Sequence, residues 1–183
     1  MKKNEIIIEV EELLRSARIF RNESRLDEAI RELHIALELC EKFKVSKEKA
    51  RPLSLLANIQ HDLGNNNASL ESYRDALSIA ENESKPKQIA HITRRIADVE
   101  RELGSLKESL SHYQKALKYY RANVPASLNT ANALRGLALL KEKMVDYSDA
   151  KKLWKEAKTL YEKLKIEDGV KECLNRLKRP EFS

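Results

Sequence analysis

The stretch from Leu53 to Ala80, LSLLANIQHDLGNNNASLESYRDALSIA, decides the fold of this chain. It contains two apolar periodic runs, one on each side of Gly64 and the three asparagines that follow it. Each run has an alanine among its apolar positions, Ala57 in the first and Ala76 in the second. Glycine and asparagine readily adopt the left-handed backbone conformation that ends a helix. The stretch therefore predicts two helices joined by a tight turn and packed as an antiparallel hairpin.

The same hairpin pattern recurs along the chain at a fixed spacing, which is typical of a repeat protein. The alanines of the first and of the second helices both step by 40, 40 and 41 residues: Ala17, Ala57, Ala97, Ala138 and Ala36, Ala76, Ala116, Ala157. A large side chain stands three residues before each alanine of the second set: Leu33, Tyr73, Tyr113 and Trp154. Small residues let two helix backbones approach, and one bulky side chain fills the adjoining space. The spacing predicts four hairpins.

These four hairpins predict eight helices, and a ninth follows them. Pro52, Pro86 and Pro125 fall in the connections between hairpins, because proline is tolerated only at or before a helix start. The eight helices are expected over residues 4–22, 26–43, 47–63, 67–83, 86–103, 107–122, 126–144 and 148–164. The stretch 167–178 is amphipathic and is interpreted as a capping helix that covers the last apolar face. Docking of that helix onto another protein is the alternative.

The composition agrees with an all-α protein that has no membrane-spanning segment. The chain is 42% hydrophobic and 35% charged, with only 4 glycines and 4 prolines in 183 residues. No apolar run reaches the roughly 18–20 residues of a membrane span. Glu9, Glu11 and Glu12 interrupt the apolar residues near the start, so a signal peptide is not indicated. We therefore expect a cytoplasmic protein.

No pattern of catalytic or metal-binding residues is present in the sequence. There is no CxxC motif, no pair of histidines four residues apart, no GxSxG motif and no glycine-rich phosphate loop. Cys40 and Cys173 stand alone, so buried reduced thiols are expected instead of a disulfide or a zinc site. We expect a protein that is not an enzyme, with no metal and no cofactor.

Two short motifs resemble the signature of the tetratricopeptide repeat family, W-x2-L-G-x2-Y followed by A-x3-F. Leu53-x2-Leu56-Ala57 and Leu134-x2-Leu137-Ala138 are similar to the first element, while Ala29-x3-Leu33 and Ala150-x3-Trp154 are similar to the second. The period of 40 to 41 residues resembles an elongated subset of the family, whose usual period is about 34. HEAT-like helical pairs share the longer period, but the spacing of alanines and aromatics argues against them.

This resemblance implies an α-solenoid, a right-handed superhelix of four antiparallel helix pairs with a C-terminal capping helix. One domain is expected over residues 1–183, with repeats at about 5–43, 47–83, 86–122 and 126–164. In this family the first helices of the repeats line a concave groove that holds a partner segment. The resemblance therefore implies that conspicuous polar residues of the first helices face a ligand.

Arginine is concentrated on these first helices, whereas lysine is not. Within residues 10–23, 50–63, 90–103 and 131–144 lie eight of the 14 arginines but only two of the 21 lysines. Guanidinium groups bind carboxylates or phosphates with two parallel hydrogen bonds, which an ammonium group does poorly. We therefore expect an acidic peptide or protein segment as the partner. The candidate binding residues are Arg18, Arg51, Asn58, His61, His91, Arg94, Asp98, Arg101, Asn132 and Arg135.

Three alternatives remain open from the sequence. The arginines can pair with acidic residues of neighbouring repeats and stiffen the stack, because Glu11, Asp62, Asp98, Glu102 and Glu142 lie on the same helices. A homodimer can form through the terminal helix or an end repeat. Nucleic-acid binding is suggested by a net charge of +6, but the scarcity of aromatic residues outside core positions argues against it. The lysine and asparagine set with which some relatives grip a chaperone tail is not reproduced.

Overall fold

The computed structural model describes residues 3–182, and that part of the chain is all-helical. Its α-helices are α1 Lys3–Asn22, α2 Leu26–Lys42, α3 Ala50–Asp62, α4 Asn66–Asn82, α5 Pro86–Leu103, α6 Leu106–Asn123, α7 Leu128–Lys143, α8 Tyr147–Lys163 and α9 Glu167–Leu177. The predicted all-α class and the order of the helices are confirmed. Residues 1, 2 and 183 of the expected domain lie outside the described residues, and the assignment of 1–183 as one domain stays a prediction.

Two helices begin later than the sequence predicts. A 3₁₀ turn occupies Ser46–Lys49, so α3 starts at Ala50, as is common at helix N-termini. Helix α7 starts at Leu128, because the Ser127 side chain accepts a hydrogen bond from the Thr130 amide at 3.3 Å and caps the helix. The other helix bounds agree with the prediction to within one residue.

The four turns inside the hairpins use one backbone geometry at equivalent positions. Ser24, Gly64, Gly104 and Val145 have φ angles of 60°, 77°, 84° and 61°, all in the left-handed region. Glycine adopts this conformation without steric cost, whereas for a β-branched valine it is strained. The prediction of left-handed turns at Gly64 and Gly104 is confirmed, and at Val145 the turn keeps its geometry despite an unfavourable residue.

The chain divides into two compact units, residues up to Ile92 and residues from Thr93, and α5 runs through the boundary. We refer to them as unit 1 and unit 2. In unit 1, α1 packs against α2 and α3 against α4. Ala17 and Ala57 are fully buried, and the Ser69 hydroxyl donates to the Ala57 carbonyl at 2.8 Å. A serine at an alanine position thus remains buried because it has a hydrogen-bond partner.

Unit 2 repeats this arrangement and adds α9, which packs against α8. Ser109 donates to the Ala97 carbonyl at 2.8 Å, as Ser69 does to Ala57 in unit 1. Two glycines allow close approach of an aromatic ring: a Cβ on Gly136 would lie 2.5 Å from the Tyr113 hydroxyl, and a Cβ on Gly169 would lie 2.6 Å from the Tyr161 ring.

Candidate binding surface

In unit 1, two arginines of the first helices pair with acids of the neighbouring repeat. Arg21 donates to the Asp62 carboxylate at 2.7 and 2.9 Å, and Arg51 donates to Glu11. The partners of each pair are about one repeat apart in sequence, and all four side chains remain partly exposed. Exposed ion pairs contribute about 0–1 kcal/mol to stability. The alternative of inter-repeat pairing therefore accounts for the contacts of these two arginines.

Arg18, one of the candidate binding residues, is placed differently. Arg18 and Arg15 are exposed on adjacent turns of α1, and neither makes an ion pair with any residue in 3–182. At the position equivalent to Arg18, the second and third repeats carry Asn58 and Asp98. Helix α1 thus presents two guanidinium groups whose N–H donors are available to a ligand.

Asn58, Asp98 and Asn132 each accept a hydrogen bond from a tyrosine. The tyrosine hydroxyl-to-oxygen distances are 2.9 Å for Tyr73–Asn58, 2.6 Å for Tyr113–Asp98 and 2.7 Å for Tyr161–Asn132. A buried hydroxyl needs such a partner, since leaving it unpaired costs about 1–3 kcal/mol. These three candidate residues therefore have a structural role in addition to any contact with a ligand.

Three buried tyrosines of unit 2, Tyr113, Tyr120 and Tyr161, have raised pKa values. Burial and the Asp98 carboxylate raise the pKa of Tyr113 far above its usual range. Burial raises the pKa of Tyr161 to about 12. Burial also raises the pKa of Tyr120, an effect that the nearby Arg94 cation opposes, and the Tyr120 hydroxyl has no hydrogen bond of acceptable geometry within the described residues.

Arg94 is buried, with 5% of its surface exposed. Its guanidinium donates to Asp98 at 2.7 Å, and Asp98 in turn accepts from the hydroxyl of Tyr113. The Nε atom of Arg94 has no acceptor among the described residues. A buried charge is tolerated when it is paired, and Asp98 pairs with Arg94 here. The contact between Arg94 and Asp98 is therefore part of the interior of unit 2. A direct contact between Arg94 and a partner stays a prediction.

Arg101 and Arg135 are more accessible to solvent than Arg94. Arg101 donates to Glu102 at 3.3 Å, a weak contact, and its guanidinium lies near the hydroxyl of Tyr113. Arg135 donates to Glu172 on α9 at 2.5 Å, and this hydrogen bond raises the pKa of Arg135. Since the side chain of Arg135 is 41% exposed, a carboxylate of a ligand could replace Glu172 there.

His61 and His91 are half-buried on α3 and α5, and each has a partner within the chain. No group of three or more His, Cys, Asp or Glu residues within 3–182 is arranged to hold a metal ion. Cys40 and Cys173 are buried free thiols, as predicted, and burial raises the pKa of both to about 11. None of the helices in the described part of the chain is long and apolar enough to cross a membrane.

Sequence reasoning missed the central role of Glu142. Its carboxylate accepts from the Trp154 indole nitrogen at 2.6 Å and from Arg176 at 2.8 Å, while Arg179 lies 3.3 Å away. The Arg176 guanidinium also stands over the Trp154 ring, 5.7 Å from its centroid. The signal was available, because a buried indole N–H needs an acceptor and Glu142 lies across the turn from Trp154 in the same hairpin. This contact attaches α9 to the last hairpin.

The model of the tetratricopeptide repeat family matches residues 9–82 and 88–163, more than half of the chain. No curated protein sequence matches this chain. Among solved structures, the apo form of RapI has a TM-score of 0.82 at 14% identity, over 97% of this chain and 70% of that one. BtubC from P. vanneervenii has a TM-score of 0.61 at 16% identity, over 98% and 91% of the two chains.

A third similar structure is a signal transduction ATPase with numerous domains from Pyrococcus horikoshii, which carries a tetratricopeptide repeat sensor. The TM-score is 0.79 at 17% identity, over 92% of this chain. This chain spans only 26% of the length of that protein. At these identities the three likenesses support the fold.

Proposed function

This chain belongs to the tetratricopeptide repeat family, and we propose from that premise that it is a scaffold that holds an acidic segment of a partner protein on its first helices. Repeats of this family mediate protein–protein interactions. The extended surfaces that such repeats create suit a peptide or a partner segment better than a small substrate. The proposed activity is binding without chemistry.

The observation that carries the proposal is the pair of exposed arginines on α1. Arg15 and Arg18 are three residues apart, so their side chains lie on one side of the helix. Both are exposed without an ion pair to the described residues, whereas Arg21, one turn further, binds Asp62. Arginine presents five N–H donors in a planar arrangement that matches a carboxylate. An acidic partner segment would satisfy donors that the chain itself leaves available.

The paired arginines can contribute as well, because their present contacts are weak. Arg51 with Glu11 in unit 1, and Arg135 with Glu172 in unit 2, are ion pairs between partly exposed side chains. Such pairs exchange at little cost in free energy. A carboxylate of the partner could therefore take the place of Glu11 or Glu172 within either unit. Arg94 is too deeply buried for such an exchange.

The test is a binding titration with an acidic peptide that has no apolar residues. We would use a short fluorescein-labelled peptide made only of glutamate, serine and glycine, and measure its anisotropy against the full chain. Arg18→Glu should weaken binding by about tenfold, since a hydrogen bond to a charged group contributes about 1.5–3 kcal/mol. The double variant Arg15→Glu/Arg18→Glu should weaken it further.

Arg74 on α4 supplies the matched control. It is also exposed and without an ion pair in residues 3–182, but it lies on a second helix of the same unit. Arg74→Glu changes the net charge as much as Arg18→Glu does, and it should leave the affinity within about twofold. Equal losses from both variants would mean that the peptide senses only the net charge, and the proposed surface would be wrong.

A further inference from the structure

A second surface of unit 2, on the second helices, has the shape and charge of a protein-binding groove. It lies between α6 and α8, with α7 beneath them, and its volume is about 510 Å³. Four leucines line it: Leu110 and Leu117 from α6, Leu137 from α7 and Leu153 from α8. A groove of several hundred Å³ with leucines in its wall is of the kind that binds apolar side chains.

The rim of this groove is rich in basic residues. Polar residues on the rim are Gln114, Lys118, Arg121, Lys141, Asp149, Lys152 and Glu156. Both acids already have basic partners, because Glu156 binds Arg121 at 2.7 Å and Asp149 binds Lys152 at 3.1 Å and Lys141 at 3.2 Å. Lys118 is exposed and has no ion pair within the described part of the chain. The charge that remains for a ligand is therefore positive.

The sequences of the second helices show the same charge bias. Helices α6 and α8 together carry nine lysines and arginines against four acidic residues, whereas α2 and α4 carry three against eight. The basic excess is thus specific to the second helices of unit 2. A helix surface that only faces solvent needs no such difference in charge between equivalent helices. The basic excess on α6 and α8 therefore points to a partner of opposite charge.

We propose that this groove binds an acidic amphipathic helix of a partner protein. Apolar side chains at positions i, i+3, i+4 and i+7 of that helix would contact the leucines, and flanking glutamates or aspartates would contact Lys118 and Lys152. This is the helix-in-groove mode of recognition. The leucine lining favours a protein over a nucleic acid, since bases bind by stacking on aromatic side chains and no residue that lines the groove is aromatic.

This inference is separate from the proposed function, because the groove is lined by different residues from those of the arginine surface. The probe is a fluorescein-labelled peptide long enough for four helical turns, with leucines in that spacing and glutamates elsewhere, compared with a scrambled peptide of the same composition. We expect the full chain to bind the first peptide at least about tenfold more tightly than the scrambled one. Equal affinities would overturn the proposal, because net charge alone would then explain the binding.

Three variants locate the site on the chain. Lys118→Glu and Leu153→Ser should each weaken binding by about five- to tenfold. Lys155→Glu is the matched control, since Lys155 is exposed on α8 outside the groove, and it should leave binding within about twofold. A circular-dichroism melt checks that Leu153→Ser folds, and Lys118→Glu, at an exposed position, keeps the test decisive if it does not.

Two results would contradict the groove assignment. One is an equal loss from Lys118→Glu and Lys155→Glu. The other is a short single-stranded oligonucleotide that binds more tightly than the amphipathic peptide at the same salt concentration, which would identify the surface as a nucleic-acid site instead.

Discussion

Units 1 and 2 build the same contact between a first and a second helix with different chemistry. In unit 1 the hydroxyl of Tyr73 donates to the neutral amide of Asn58, and in unit 2 the hydroxyl of Tyr113 donates to the carboxylate of Asp98. Only the carboxylate needs a cation, which buried Arg94 supplies.

The position equivalent to Arg94 in the second repeat of unit 1 carries Ser54, whose hydroxyl donates to its own helix at the Ala50 carbonyl. Arginines of unit 1 lie instead at the surface, as Arg51 does in its exposed pair with Glu11. An arginine on a first helix can therefore have either of two roles. An exposed arginine is a surface cation, whereas a buried arginine is part of the interior and pairs with a carboxylate there.

The largest expected effect separates the two versions of the tyrosine contact. Asp98→Ala should destabilise the protein by about 3–5 kcal/mol, because it leaves the charge of Arg94 buried without a partner. Asn58→Ala should lower the free energy of unfolding by only about 1–3 kcal/mol, the cost of an unpaired buried hydroxyl. Urea unfolding followed by circular dichroism measures both. Equal losses would mean that Arg94 does not depend on Asp98.

The next effect concerns alkaline stability, which the buried tyrosines of unit 2 limit. Tyr161 has a folded-state pKa of about 12, above the value of about 10 in the unfolded chain. Its burial therefore contributes stability below pH 10 that is lost as the pH rises towards 12, by about 2 kcal/mol. Tyr161→Phe cannot ionise, so its free energy of unfolding should fall less between pH 9 and 11.5. An identical fall in both proteins would contradict the raised pKa.

The third prediction concerns the close contact between an aromatic ring and a glycine, and its expected effect on stability is similar to that of the tyrosine or smaller. Gly136→Ala should destabilise unit 2 by about 1–3 kcal/mol, because its Cβ would meet the Tyr113 hydroxyl at 2.5 Å. In unit 1 the positions equivalent to Tyr113 and Gly136 carry Leu33 and Leu55, which both lie in the core. Thermal melts of Gly136→Ala, of Tyr113→Leu and of the combination are the measurement, because Tyr113→Leu also loses the hydrogen bond to Asp98. If the two losses simply add in the combination, the close approach is not the cause of the loss.

The smallest effect is expected at the surface pairs of unit 1. Arg21→Ala and Arg51→Ala should each change the free energy of unfolding by less than about 1 kcal/mol, since their pairs with Asp62 and Glu11 are exposed. Urea unfolding at low and at high salt provides the check. A loss as large as that of Asp98→Ala would show that these pairs stabilise the stack as strongly as buried ones do.

The repeat could be predicted from the sequence because helix packing leaves a local pattern. The alanine ladder, with Ala57 and Ala97 fully buried, and the glycine turns at Gly64 and Gly104 follow from sterics that act over a few residues. Val145 shows the limit of this reasoning. Valine disfavours a left-handed φ, yet the turn there follows its equivalents because the two helices that it joins are packed.

The candidate binding surface could be predicted only in part. The sequence indicates which helices carry the arginines, and the family geometry implies a shared face for them. It does not reveal that Arg94 is buried or that Asn58, Asp98 and Asn132 accept from tyrosines, because most of those contacts join residues on different helices that meet only once they are packed. For the basic groove between α6 and α8, the sequence gives only the lysines on the second helices and does not reveal that leucines of three helices meet there.

The central claim is that arginines of the first helices serve binding in one place and structure in another. The most direct test measures Arg18→Ala and Arg94→Ala side by side, with urea unfolding and with the anisotropy of the acidic peptide that has no apolar residues. We expect Arg18→Ala to weaken peptide binding by about tenfold at unchanged stability, and Arg94→Ala to lower the free energy of unfolding by about 3–5 kcal/mol. Unchanged binding by Arg18→Ala, or unchanged stability of Arg94→Ala, would contradict the claim.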